Sequence, residues 1–245
     1  MDHAKVDAFM ESLTTEFPEG EVIEGYRFAG GDLRWCSFRD VTFRNCSFDN
    51  AVADGVLFDQ CVFDRCSMER FRAADVRLHD CKFNTCSLKN STLSAAFIEG
   101  CEFKHGSAAG SDWSYQTLKN TSFLMFTLSE ADSITLMTDS RIVDCGFIRC
   151  SLSGLDLDGS QVYTAVIDSS DMAQACLVGA TVRGLVLKRS GLDRSRLDNS
   201  LFQFCVTTQS DLSSARLHGA NFTNCRFVGT DLKSDGAYFA ECEIE

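Results

Sequence analysis

Large apolar residues return at every fifth position over most of this chain. One run goes from Phe28 to Leu128 and is interrupted only by Ala53, Ala73 and Ala108. A second run, one residue out of phase, goes from Met137 to Leu232 with Thr207 as its only polar member. A period of five matches neither the 3.6 of a helix nor the 2 of a flat strand. Two residues before each centre the side chain is usually small, as at Cys46, Ala51, Ala96, Ser160 and Ala220. Two residues after it, turn formers gather, as at Gly30, Asn45, Asp80, Gly100 and Asn224. The unit is therefore small-x-large-x-x, with the two marked positions facing a core and the others facing water. Gly and Asn tolerate the positive φ of a tight corner, and a short strand followed by a corner, repeated, winds a solenoid.

Segments such as Cys61-Val62-Phe63-Asp64-Arg65 and Ala220-Asn221-Phe222-Thr223-Asn224 resemble the pentapeptide-repeat family, whose motif is Ala-(Asp/Asn)-Leu-x-x with Cys-x-Phe variants. The resemblance extends over residues 26 to 244. It implies an all-β solenoid, a right-handed quadrilateral β-helix with four pentads per coil, so that residues twenty apart stack. Phe43, Phe63, Phe83, Phe103 and Phe123 would then form one column, Cys46, Cys66 and Cys86 another, and Cys61, Cys81 and Cys101 a third. At roughly 4.8 Å per coil, about ten coils give a rod on the order of 50 Å long.

The phase changes divide the chain into a lead-in (1–24), a first frame (25–128), a junction (129–136), a second frame (137–232) and a closing turn (233–245). Between Leu128 and Met137 the spacing reads as the loss of one residue, which predicts a corner irregularity or bulge that bends the rod. After Leu232 it reads as a gain of two, with Ala237-x-Phe239 and Cys242-x-Ile244 closing the last turn. In residues 2–17, Val6, Phe9, Met10, Leu13 and Phe17 keep helical spacing, with Asp2 as N-cap and Pro18 to Gly20 as a stop. This predicts a helix that caps the open first coil, whose bare edge would otherwise pair with other chains.

The 245 residues, 44% hydrophobic, suffice for a sizeable core. Neither an apolar run of membrane-spanning length nor a secretory signal is evident, so a cytoplasmic protein without membrane contact is expected. Thirteen cysteines form no Cys-x-x-Cys pair and are odd in number, which favours reduced thiols over a disulfide scaffold or a zinc site. All but Cys176 fall at the small inward site, where packing explains them; Cys176 lies beside a centre and is expected to face solvent. His3, His79, His105 and His218 are scattered, Asp156 and Asp158 flank one centre and would both point to water, and every glycine-rich stretch is a corner. No cofactor, metal or catalytic activity is expected.

Half of the net charge of −12 belongs to residues 1–24, while residues 25–128 are neutral. Within the second frame, one face carries Asp171, Asp193, Asp211 and Asp231 against Arg194 and Lys233, and another carries Arg149, Lys188, Arg189 and Arg226 against Asp168. The resemblance implies a protein-binding role. For the quinolone-resistance group of the family, the implied partner is a bacterial type II topoisomerase, DNA gyrase or topoisomerase IV, engaged by partial mimicry of DNA with protection against quinolones or toxins. The alternative is a scaffold for another protein. Direct nucleic-acid binding is not expected at this net charge, and no C-terminal helix supports a dimer.

Overall fold

The computed structural model describes residues 3–11, 16–129, 134–232 and 236–245. The pentads wind a four-sided parallel coil of about 11 turns. Numbered in chain order from Ile23, the first face is a twelve-stranded parallel sheet running from Val22–Glu24 to Glu243–Ile244. The fourth is an eleven-stranded parallel sheet from Ser37–Arg39 to Tyr238–Ala240. The second and third faces are held mainly by single bridges, such as Ser47 with Ser67 on the second and Asp32 with Val52 on the third. The lead-in and the closing segment each contribute a side to the first face, which is why the turns exceed the ten expected.

A typical three-residue strand buries its central side chain and leaves the flanking ones partly or fully exposed. The residue two beyond the centre turns the corner at positive φ, +51° at Asn45 and +68° at Gly100. Trp35, Arg65, Met125 and Phe204 adopt the same conformation. A left-handed backbone costs a side-chain-bearing residue about 1–2 kcal/mol, a strain held here by ladder hydrogen bonds on both sides. The small inward residue ties coils together: Cys66 Sγ donates to the Phe43 carbonyl at 3.4 Å and the Asp64 carbonyl at 3.6 Å. Ser170 Oγ makes the equivalent bonds to Phe147 and Asp168, so the site selects small donors as well as small volumes. Larger residues also take this site, Phe71, Leu155, Leu185 and Phe126 among them, and Gly106 one coil below leaves Phe126 room, since a Cβ there would lie 2.7 Å from its ring.

Both phase changes turn out larger than the spacing suggested. Thr117 pairs with Arg141 and Ser122 with Gly146, 24 residues apart where the preceding coils advance by 20, as from Phe97 to Thr117. The junction therefore adds four residues and does not remove one. At the end, Phe222 pairs with Phe239, 17 residues apart, so three residues are lost and not two gained. Periodicity fixes a shift only modulo five, and the register of the sheets supplies the integer. The insertion falls at the corner between the second and third faces, beside a register shift at Thr127/Ser129, while the first and fourth faces keep their pairing at that level. Thr135 then takes the small inward site, its hydroxyl donating to the Ala108 carbonyl at 2.9 Å.

The two halves have different cores. In the first, Phe43, Phe63, Phe83, Phe103, Phe123 and Phe147 stack face to face, with centroids 4.6–5.0 Å apart. The second is mostly aliphatic and encloses a narrow void of about 40 Å³ beside Ile167, Leu177, Leu187, Leu197 and Thr207. The helix α1 (His3–Glu11) covers the first coil through Val6 and Phe9, with the Phe9 ring 4.9 Å from Phe17 and 5.8 Å from Phe38. Tyr26 donates its hydroxyl to Asp7 and fastens α1 to the coil. The Asp2 cap and Leu13 lie outside the described residues.

Candidate docking surface

Asp171, Asp193, Asp211 and Asp231 all lie exposed on the second face. Bridges from Asp171 through Gly191 to Asp211, and the pairing of Asp211 with Asp231, place three of them in one column. Asp193 stands in the parallel column across Leu192. Asp171 and Asp211 are held upright by accepting the backbone N–H two residues on, at 2.9 Å from Ala173 and 2.8 Å from Ser213. The Ser213 bonds keep the Asp211 carboxyl below its usual range. Of the expected counter-charges, Arg194 sits 3.5 Å from Asp193, and Lys233 lies outside the described residues.

The sequence reading missed the adjoining third face, which is more acidic. Its outward positions hold Asp32, Asp54, Asp75, Asp112, Asp139, Asp156, Asp158 and Asp198 against Arg34, Arg72, Arg196 and Arg216. The signal was the same twenty-residue stacking, but the junction, counted as a one-residue loss, put the Met137 pentad out of line with the Trp113 pentad. The bridge from Asp112 to Leu136 and on to Asp156 restores that line. Two large aromatics border this face at its corner with the fourth, Trp35 at 69% and Tyr115 at 67% exposure.

Cys176 corrects an expectation. It occupies an outward position on the third face between Asp156 and Arg196, yet its neighbours leave it only 9% exposed. Burial and hydrogen bonding to Asp158 push its thiol up to about 11, which opposes reactivity. Asp156, Asp158 and Cys176 are the one group of three metal-ligand side chains found close together among the described residues. Asp156 already accepts from Asp158 N and Asp158 from Val178 N, both at 3.0 Å, so these carboxylates serve the backbone. Burial, with Asp158 beside it, raises the Asp156 carboxyl.

The basic face is the first, opposite the third. Its charge is partly cancelled within the chain: Arg189 clasps both Asp168 oxygens at 2.5 and 2.7 Å, and Arg226 reaches Glu243 and Glu245. Among the histidines, His79 Nδ1 donates at 2.8 Å to the Asp59 carboxylate on the exposed fourth face, and this bond raises its pKa.

A family model described as pentapeptide repeats matches residues 27–71 and 195–233 in 8 copies. Those two segments therefore carry pentapeptide repeats, and the coil between them continues the same four-sided parallel winding. Among solved structures, it resembles HetL, a pentapeptide-repeat protein involved in heterocyst differentiation regulation from the cyanobacterium Nostoc sp., at 17% identity, covering 99% of this chain and 94% of that one with a TM-score of 0.30. It also resembles full-length QnrB1, a plasmid-mediated fluoroquinolone resistance protein, at 13% identity over 94% and 93% with a TM-score of 0.39. A periplasmic alginate epimerase, AlgG, matches at 8% identity over 91% and 66% with a TM-score of 0.40. At these values nothing about function follows from the individual likenesses. No curated protein matches the chain.

Proposed function

We propose that the protein is a non-catalytic, cytoplasmic docking rod, and that the edge shared by its second and third faces receives a basic protein surface. The observation that supports this most is the excess of acids on the two faces that meet there in the second half. Asp139, Asp156, Asp158, Asp171, Asp193, Asp198, Asp211 and Asp231 belong to those two faces, against Arg194, Arg196, Arg216 and, by the sequence pattern, Lys233. Eight acids less four bases leave four net charges over five coils, about 24 Å. Duplex DNA would carry about 14 phosphates over that length. The edge is therefore a local and partial DNA mimic, suited to steering a cationic groove.

The partner the sequence resemblance names is a type II topoisomerase, DNA gyrase or topoisomerase IV. Supercoiling by purified gyrase, titrated with the protein with and without a fluoroquinolone at two salt concentrations, tests this. Inhibition or drug protection that weakens with salt supports it. No effect at micromolar protein removes the topoisomerase and leaves a scaffold for a different protein.

A further inference from the structure

Nine of the thirteen cysteines stand directly above one another in three columns: Cys46–Cys66–Cys86, Cys61–Cys81–Cys101 and Cys205–Cys225–Cys242. Cys36, Cys145, Cys150 and Cys176 have no cysteine twenty residues away in their columns. Within a column the thiols are aimed alike, each donating to the carbonyl 23 residues before it, at 3.3 Å from Cys61 to Phe38, 3.3 Å from Cys81 to Phe58 and 3.5 Å from Cys101 to Leu78. We propose that each column is a binding site for a thiophilic d10 dication that prefers two ligands in line, one ion bridging two stacked thiols.

The argument is geometric. Neighbouring parallel strands lie about 4.7–4.9 Å apart, and in-register cysteines repeat at that spacing with parallel side chains. A disulfide needs sulfurs about 2.05 Å apart and Cβ atoms within about 3.5–4.5 Å, so the coil repeat resists oxidation of stacked pairs. Two metal–thiolate bonds of about 2.3 Å each, laid end to end, span about 4.6 Å, which matches the repeat without moving the backbone. Soft thiolates select soft cations.

Charge selects among them. The sites are buried, Cys61 and Cys81 at 0% exposure, and an uncompensated buried charge is costly. A dication bound to two thiols forms two metal–sulfur bonds, breaks two S–H bonds and releases two protons, leaving a neutral bis-thiolate. A monovalent ion that displaced both protons would leave a net negative charge in the core, and one that displaced a single proton would keep one thiolate bond where the dication keeps two. Mercuric ion is thus the fitting probe and silver the contrasting one. Cys242 is the only partly buried cysteine, so the Cys205–Cys225–Cys242 column loads first.

The test is titration of the full reduced chain with mercuric ion in the presence of glutathione, counting bound ions by native mass spectrometry and following thiolate-to-metal absorption. Three ions per folded chain are expected, with two protons released per ion and a raised melting temperature. Cys66→Ala, Cys81→Ala and Cys225→Ala each separate the remaining pair by two coils and should each remove one ion. Alanine already occupies this inward site elsewhere, as at Ala165 and Ala220, so the variants keep a native residue type there. Cys145→Ala should retain three ions. A count unchanged by the three central substitutions, or loading only in denaturant, or equal retention of silver and mercury against glutathione, would overturn the proposal.

Discussion

Replacing Phe83 by alanine should be among the most damaging single substitutions in the rod. The ring is 2% exposed and lies face to face with Phe63 at 4.7 Å and Phe103 at 4.6 Å, tilted by 7° and 4°. Truncating a buried Phe costs about 3–5 kcal/mol through lost transfer and the cavity left behind. Each aromatic pair adds about 0.5–1.5 kcal/mol beyond area burial, so two pairs bring the loss to about 4–8 kcal/mol. Phe83→Leu keeps most of the volume and forfeits mainly the ring contacts, about 1–3 kcal/mol. Urea unfolding followed by the fluorescence of buried Trp113, in a Trp35→Phe background, measures both, with circular dichroism as a second probe because solenoids unfold in parts. Equal losses for the two variants, or a loss under about 1 kcal/mol for alanine, would refute the claim that the stacked column organises the first half.

Thr207, the polar member of its apolar column beside the void, should gain about 1 kcal/mol on conversion to leucine, read as a rise in denaturant midpoint. Deleting residues 130–133 restores five-residue spacing between Leu128 and Met137 and should leave the circular dichroism spectrum intact; if this junction reads the partner, binding is lost with it, and unchanged binding would exclude that role. His79, its pKa raised by Asp59, should titrate above its ordinary value in an NMR pH series, and Asp59→Asn should lower the midpoint. The sign follows: the pair supports the fold fully at pH below the ordinary histidine range, and that support fades as pH rises through the shifted pKa. Tyr26→Phe removes the hydroxyl held by Asp7 and should loosen α1 by about 1 kcal/mol, visible as faster hydrogen exchange over His3–Glu11.

The five-residue pattern carried the coil, the inward sites and the Phe and Cys columns, because each pentad faces a core whose two inward positions accept so few residue types. What it could not carry were integers and neighbours. A shift of minus one and a shift of plus four leave Met137 in the same phase, and only the pairing of Thr117 with Arg141 tells them apart. The acidic third face depended on that count, since Asp112 and Asp156 join one column only across the insertion. Cys176 was misjudged because position fixes the direction of a side chain but not what its neighbours place over it. The Asp171, Asp193, Asp211 and Asp231 group was legible because it lies wholly within one frame, and its exposure follows from the alternation of the strands.

The docking claim is tested most directly by comparing two variants in one gyrase supercoiling and binding assay. In the first, Asp139, Asp156, Asp158, Asp171, Asp193, Asp211 and Asp231 become Asn, which keeps the backbone-capping oxygens; in the second, Arg149, Lys188 and Arg226 on the opposite face become Gln. The account predicts that the first loses binding and its salt dependence while the second keeps both, with circular dichroism unchanged in each. Equal binding by the two variants, or loss only in the second, would contradict it.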